Sequence, residues 1–198
     1  MPNPVLLVHG LFRGARVFGP MAAYLTAQGW TIYCFDLKLN YGRWGLDRIA
    51  LQIADYIRLT FPPSQPLDLV GLSMGGLLSR YYVQRLEEIE QVQRLVTISS
   101  PHCGTQLAYA LPLPLCIQMR PGSVFLRNLN QDTKRLEQLN LTSIWTPYDF
   151  IIVPASSSRL GIGEEVKLSV LTHAAMARDR RCFEAVAHSL RTPLKTSS

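Results

Sequence analysis

The sequence predicts an α/β fold: a mostly parallel sheet with helices on both faces. Two observations carry this. Short apolar, β-branched segments alternate with amphipathic segments in the order βαβαβαβ over the first hundred residues. The chain is 198 residues long, 47% apolar and 17% charged, which suits one domain with a sizeable core and excludes a disordered chain.

The elements follow in order. Pro4–His9 is an apolar run ending in His-Gly, the first strand. Val17–Gln28 carries apolar residues at helical spacing and stops at Gly29. Trp30–Asp36 is β-branched and aromatic, a second strand. Leu46, Ile49, Ile53, Tyr56 and Ile57 form one face of a helix that ends before Pro62 and Pro63. Leu67–Gly71 is a strand, Leu78, Tyr82, Leu86 and Ile89 mark a helix, and Val92–Ser99 is a strand. Pro101–Leu141 breaks the rhythm. Its Leu107–Cys116 segment is apolar, but Pro112 and Pro114 bar a regular helix or a central strand. Thr142–Thr146 and Lys167–Leu171 then resume as strands, and Phe183, Val186, Ala187 and Leu190 define a last helix. The expected organisation is one domain over residues 1–198 with a lid-like insertion at 101–141.

Composition excludes several functions. The net charge of +6 comes from basic residues scattered along the chain, with no basic run longer than two, so a nucleic-acid-binding arm is not expected. No apolar stretch reaches transmembrane length. The four cysteines show no metal-ligand or redox spacing, and Cys34, in an apolar run, is expected to be a buried free thiol. The first basic residue, Arg13, follows rather than precedes the apolar Val5–Val8 segment, which argues against a signal peptide and for the cytoplasm.

Four positions carry chemistry. Gly71-Leu72-Ser73-Met74-Gly75 is a G-x-S-x-G motif between a strand and a helix, the context of a nucleophile elbow. Its alternative is a glycine-rich turn without chemistry. Acyl transfer also needs two backbone N–H donors for the developing oxyanion. Met74, after the serine, is one candidate, and Leu11, in the loop after the first strand, is the other. Asp149 stands in an otherwise apolar stretch, where burying a carboxylate is costly unless its charge is used, and orienting a histidine is such a use. The plainer reading is a turn aspartate after Pro147. Asp132, in a polar run, reads as solvated, and Asp179 lies C-terminal to the candidate histidine. His173 follows the last strand, and of the four histidines it alone completes the order Ser…Asp…His. His9 and His102 are expected to make loop hydrogen bonds, and His188 to face solvent.

These motifs resemble the α/β-hydrolase superfamily, of the small bacterial lipase and esterase type. The matching segments are His9–Phe12, Gly71–Gly76, Ser99–Thr105, Thr146–Pro154 and Thr172–Met176. The Gly71–Gly76 and Ser99–Thr105 motifs together are shared by lipases and the related inositol deacylases of lipid anchors. The resemblance implies a Ser73, Asp149, His173 triad, Leu11 and Met74 as oxyanion donors, and no metal or cofactor. Met1 falls almost at the first family strand, so the family's N-terminal hairpin is expected to be missing, leaving a minimal sheet of about six strands.

The expected function is a serine carboxylic-ester hydrolase, foremost a lipase acting through an acyl-enzyme. An acyltransferase, a lipid-remodelling deacylase and a short-chain carboxylesterase use the same scaffold and stand as alternatives. The expected partner is a lipid or small acyl ester, with peripheral contact to a membrane surface. Leu107–Cys116 is either an apolar lip at the pocket mouth or a segment packed on the core.

Overall fold

The computed structural model describes residues 2–11, 14–40, 43–86 and 91–195. Six strands form one sheet in the order β2-β1-β3-β4-β5-β6, every pair parallel. They are β1 Val5–Val8, β2 Ile32–Cys34, β3 Leu67–Leu72, β4 Val92–Ile98, β5 Asn140–Trp145 and β6 Glu164–Lys167. β1 and β3 are buried throughout, because helices cover both faces. The pleat sends alternate side chains to opposite sides: Leu6 and Val8 pack with Leu67 and Leu69, and Val5 and Leu7 with Val70 and Leu72.

The first side is covered by α2 (Leu46–Thr60) and α3 (Met74–Tyr81), the second by α1 (Gly19–Ala27) and α7 (Arg180–Arg191). In α2 the buried residues are Leu46, Ile49, Ala50, Ile53 and Ile57, one stripe at helical spacing. Phe61, before the two prolines, turns extended and ends it. The first helix is shorter than its sequence pattern: a 3-10 turn, Ala15–Phe18, leads to Gly19, and Pro20 sits in the first helical turn. α3 continues as a π-helical turn over Tyr82–Leu86; Ile89, also expected in this helix, lies outside the described residues.

Three expectations are corrected. The last strand is Glu164–Lys167, not Lys167–Leu171. It is an edge strand paired only with β5, so it bears charged residues that hide its periodicity. Val170 is buried singly instead. Cys34 is exposed, because β2 is the opposite edge. The insertion ends earlier, since Asn140 and Leu141 belong to β5. Within it, Pro114 opens a helix, α4 (Pro114–Gln118), at a position where its missing N–H costs nothing. α5 (Val124–Gln131) follows, its Ser123 cap accepting from the Leu126 amide at 3.2 Å.

The topology locates a crevice. From β1 the chain runs outward to β2, then crosses back to β3 on the other side of β1. The connections after β1 and β3 therefore leave in opposite directions, and ligands of such sheets bind at the carboxyl ends of those strands. Leu11 follows β1 and Ser73 follows β3.

Candidate active site

Ser73 is the hinge between β3 and α3. Its backbone has φ 56° and ψ −125°, a conformation that non-glycine residues seldom adopt and that marks a strained turn. The surroundings hold it there. The Ser73 amide donates to Ile98 O at 2.7 Å and Ser73 O accepts from the Gly76 amide at 3.0 Å. A Cβ on Gly75 would lie 2.0 Å from Val8 O, and one on Gly10 would lie 2.9 Å from the Ser73 Cβ. The glycines thus let the elbow and the loop after β1 press together.

A cavity of about 480 Å³ opens at this junction. Ser73, Met74, Leu11 and His173 all line it. Met74 is the first residue of α3, so its amide is one of the unpaired N–H groups at the helix's positive end. The Ser73 hydroxyl has no hydrogen bond to the described residues and is open to the cavity.

Asp149 and His173 meet beside it. The His173 Nδ1–H donates to Asp149 Oδ2 at 2.7 Å, which leaves Nε2 with its lone pair. The other carboxylate oxygen, Oδ1, accepts from the Ile151 and Ile152 amides, both at 2.9 Å. Asp149 is 5% exposed. Burial raises its pKa, but the His173 hydrogen bond, the imidazole charge and the two amides outweigh burial, and the carboxyl stays below its ordinary value. Thr146 joins the two loops: its hydroxyl donates to Val170 O at 2.6 Å and accepts from the Tyr148 amide at 3.3 Å. Thr172 caps the short α6 (His173–Met176), accepting from Ala175 N at 3.1 Å. Neither threonine was expected from sequence.

The competing residues are engaged elsewhere. Asp132 pairs with Arg85 at 2.6 Å on the surface, and Asp179 caps α7 and binds Arg181. His9 is buried; its Nε2 accepts from Leu37 N at 2.9 Å and its Nδ1–H donates to Gly10 O at 2.8 Å, a loop hydrogen bond as expected. His102 is also buried in hydrogen bonds, and His188 is exposed. Among the described residues no three His, Cys, Asp or Glu side chains gather as a metal site. No helix among them is long and apolar enough to cross a membrane.

The profile of the alpha/beta hydrolase fold matches residues 3–130. The chain belongs to the alpha/beta hydrolase fold family. Solved structures extend that likeness over the whole sheet. Aspergillus fumigatus lipase B is 17% identical with a TM-score of 0.79; the match covers 96% of this chain and 52% of lipase B. A Bacillus licheniformis lipase in its mature form is 15% identical with a TM-score of 0.77, covering 96% of this chain and 92% of that one. A thioesterase domain from the curacin biosynthetic pathway is 18% identical with a TM-score of 0.68, covering 97% and 92%. At these identities the likeness is one of fold. As an alpha/beta hydrolase the chain has its elbow, its loop after β1 and its His-Asp pair at the carboxyl end of the sheet.

Proposed function

We propose that this alpha/beta hydrolase is a serine carboxylic-ester hydrolase of the lipase type. The observation that carries the reading is the His173–Asp149 contact of 2.7 Å, on the same cavity as the strained Ser73. In this reading Ser73 Oγ attacks the ester carbonyl carbon and His173 Nε2 takes its proton. The tetrahedral oxyanion is held by the Leu11 and Met74 amides. The C–O bond to the alcohol then breaks, and the alcohol leaves with the proton from His173. Water repeats the attack on the acyl-serine, gives its proton to His173, and the acid departs as the proton returns to Ser73. Asp149, kept ionised by the His173 hydrogen bond and, after it, by its two amides, fixes the imidazole tautomer and stabilises its charged form.

The cavity's walls support an acyl chain as the recognised group. Apart from the site residues they are chiefly apolar, with Leu107, Ala108, Leu111, Met119 and Ile151 among them. Leu107 to Cys116 therefore contributes to the mouth, while Leu115 within it is buried in the core. Of the thirteen large apolar side chains exposed among the described residues, ten lie in residues 107–124 and 148–153 and at Leu171. All three segments follow carboxyl ends of strands. Between Pro101 and Gln131 the sequence has no acidic residue, but it has Arg120 and Arg127. At the cavity itself Leu107, Leu111 and Ile151 are exposed, and an apolar rim of this kind favours substrate presented on a lipid surface.

A fluorophosphonate probe tests the core of this reading. Wild type is expected to be labelled and Ser73→Ala not, with both folded. A folded wild type that resists labelling, in detergent as well as in buffer, sinks the assignment. A p-nitrophenyl ester series then separates lipase from short-chain esterase, with medium and long chains expected to be preferred.

A further inference from the structure

We propose that Arg80 is a positioning residue that sets acyl selectivity, by pinning the wall of the Ser73 cavity to the nucleophile helix; this rests on the ester-hydrolase reading above. Arg80 lies two turns beyond Ser73 in α3 and is 0% exposed. Among the described residues its guanidinium donates to neutral acceptors. Nε donates to Gln84 Oε1 at 3.2 Å and NH1 to His102 Nδ1 at 3.3 Å. NH2 donates to Leu129 O at 3.2 Å and to Asn130 Oδ1 at 3.0 Å. Among the described residues no carboxylate lies within 4.0 Å of it. Burial is the main reason that its pKa falls to about 9.

An arrangement of this kind is expensive. A buried cation is costly to desolvate, and an apolar side chain of similar size would fill the space more cheaply. What an apolar side chain lacks is the fork of five donors that joins separate segments in a fixed geometry. Here the fork joins α3, the 99–105 loop and α5.

The path from that fork to the cavity is continuous. His102, a neutral ring held well below its ordinary pKa first by burial and then by Arg80, passes its Nε2–H to Thr97 Oγ1 on β4 at 3.0 Å. Asn130 Nδ2 returns a bond to His102 O at 2.9 Å, and Gln84 Nε2 one to Leu129 O at 2.8 Å. Pro101 and Thr105, on either side of His102 in the chain, both line the cavity. The Thr105 hydroxyl donates to Ile151 O at 2.7 Å and accepts from Val153 N at 2.9 Å. Ile151 N is itself one of the two amides on Asp149. The Pro101–Thr105 wall of the cavity and the loop carrying Asp149 are thus bonded to each other and, through His102, to the buried guanidinium, and the segment after β4 is a fixed wall.

Arg80→Met, Arg80→Lys and Asn130→Ala test this. The readout is the ratio of kcat/KM for a decanoyl ester to that for an acetyl ester. In Arg80→Met the ratio should shift by about tenfold, chiefly through KM for the longer chain. Arg80→Lys, which keeps the charge and loses the fork, should shift it nearly as far, and Asn130→Ala less. Folded variants with the wild-type ratio, whatever their melting temperature, overturn the proposal. If Arg80→Met fails to fold, Asn130→Ala decides. Amide exchange supplies a readout independent of turnover: residues 102–106 and 149–153 should exchange faster in Asn130→Ala while α2 stays protected. Unchanged exchange there overturns the clamp, whereas wild type lacking esterase activity overturns the hydrolase reading alone.

Discussion

Two aspartates are buried at opposite ends of the same sheet, and they are held in different ways. Asp68, near the amino end of β3, is 0% exposed. It accepts from Asn3 Nδ2 at 3.0 Å and from Arg94 NH1 at 3.3 and 3.4 Å. Asp149, past the carboxyl end of β5, pairs with no arginine among the described residues; it accepts from two backbone amides and from His173. Burial wins at Asp68, whose pKa is raised despite the arginine, and loses at Asp149, whose pKa is lowered. Arg94 is shared: its Nε and NH2 donate to Thr192 O, which holds it at the long end of hydrogen-bond range from the carboxylate. A cation at that distance stabilises a buried carboxylate less than three short, aligned donors do. The amino end spends its polar groups on fastening the C-terminal segment. The carboxyl end keeps an ionised carboxylate for an imidazole.

The sharpest way to break this contrast is to neutralise each aspartate in turn. Asp149→Asn should reduce turnover by about four orders of magnitude with the fold retained, because an amide does not hold the productive imidazole tautomer. Asp68→Asn should leave turnover near wild type. Steady-state kinetics on the preferred ester decides, and a large loss in Asp68→Asn would show that the amino end is coupled to the site. A smaller effect is expected from Arg94→Met. It leaves Asp68 without its cation and removes the Arg94 bonds to Thr192 O, and should cost about 3 kcal/mol in denaturant unfolding, with turnover per folded molecule unchanged.

Much of this arrangement was legible in the sequence, and for a physical reason. Strands covered on both faces are mostly apolar, so β1 shows as the run Val5–Val8, and β3 and β4 as apolar segments interrupted by Asp68 and by Gln93 and Arg94. The elbow needs small residues, so Gly71 and Gly75 frame Ser73 within five positions. Asp149 and His173 stand out because each is a costly residue in an apolar or small-residue context. What escaped depends on partners far along the chain. Arg80 meets Asn130 across fifty residues, and its one local sign is a charge inside an otherwise uncharged helix, Met74–Tyr81. β6 escaped because an edge strand of Glu164, Glu165 and Lys167 has no apolar face to read. Cys34 was misplaced because apolar neighbours do not reveal that a strand is at the rim.

The smallest expected effect sharpens the comparison most, because its sign differs at the two ends. For Asp68 the folded pKa is above the unfolded one, so the native state binds more protons in the window between them. Stability from this group is complete below the ordinary carboxyl range and is lost as pH rises through the raised value. For Asp149 the folded pKa lies below the unfolded one, so the unfolded chain binds more protons. Its contribution is present above the ordinary range and is lost as pH falls through the depressed value. Denaturant midpoints measured across the acid range should therefore change slope in opposite directions in the two variants. Asp68→Asn should make stability rise more steeply with pH, and Asp149→Asn less steeply. Slopes that change in the same direction would mean that the arginine, and not burial, governs Asp68, and the contrast between the two ends would fail.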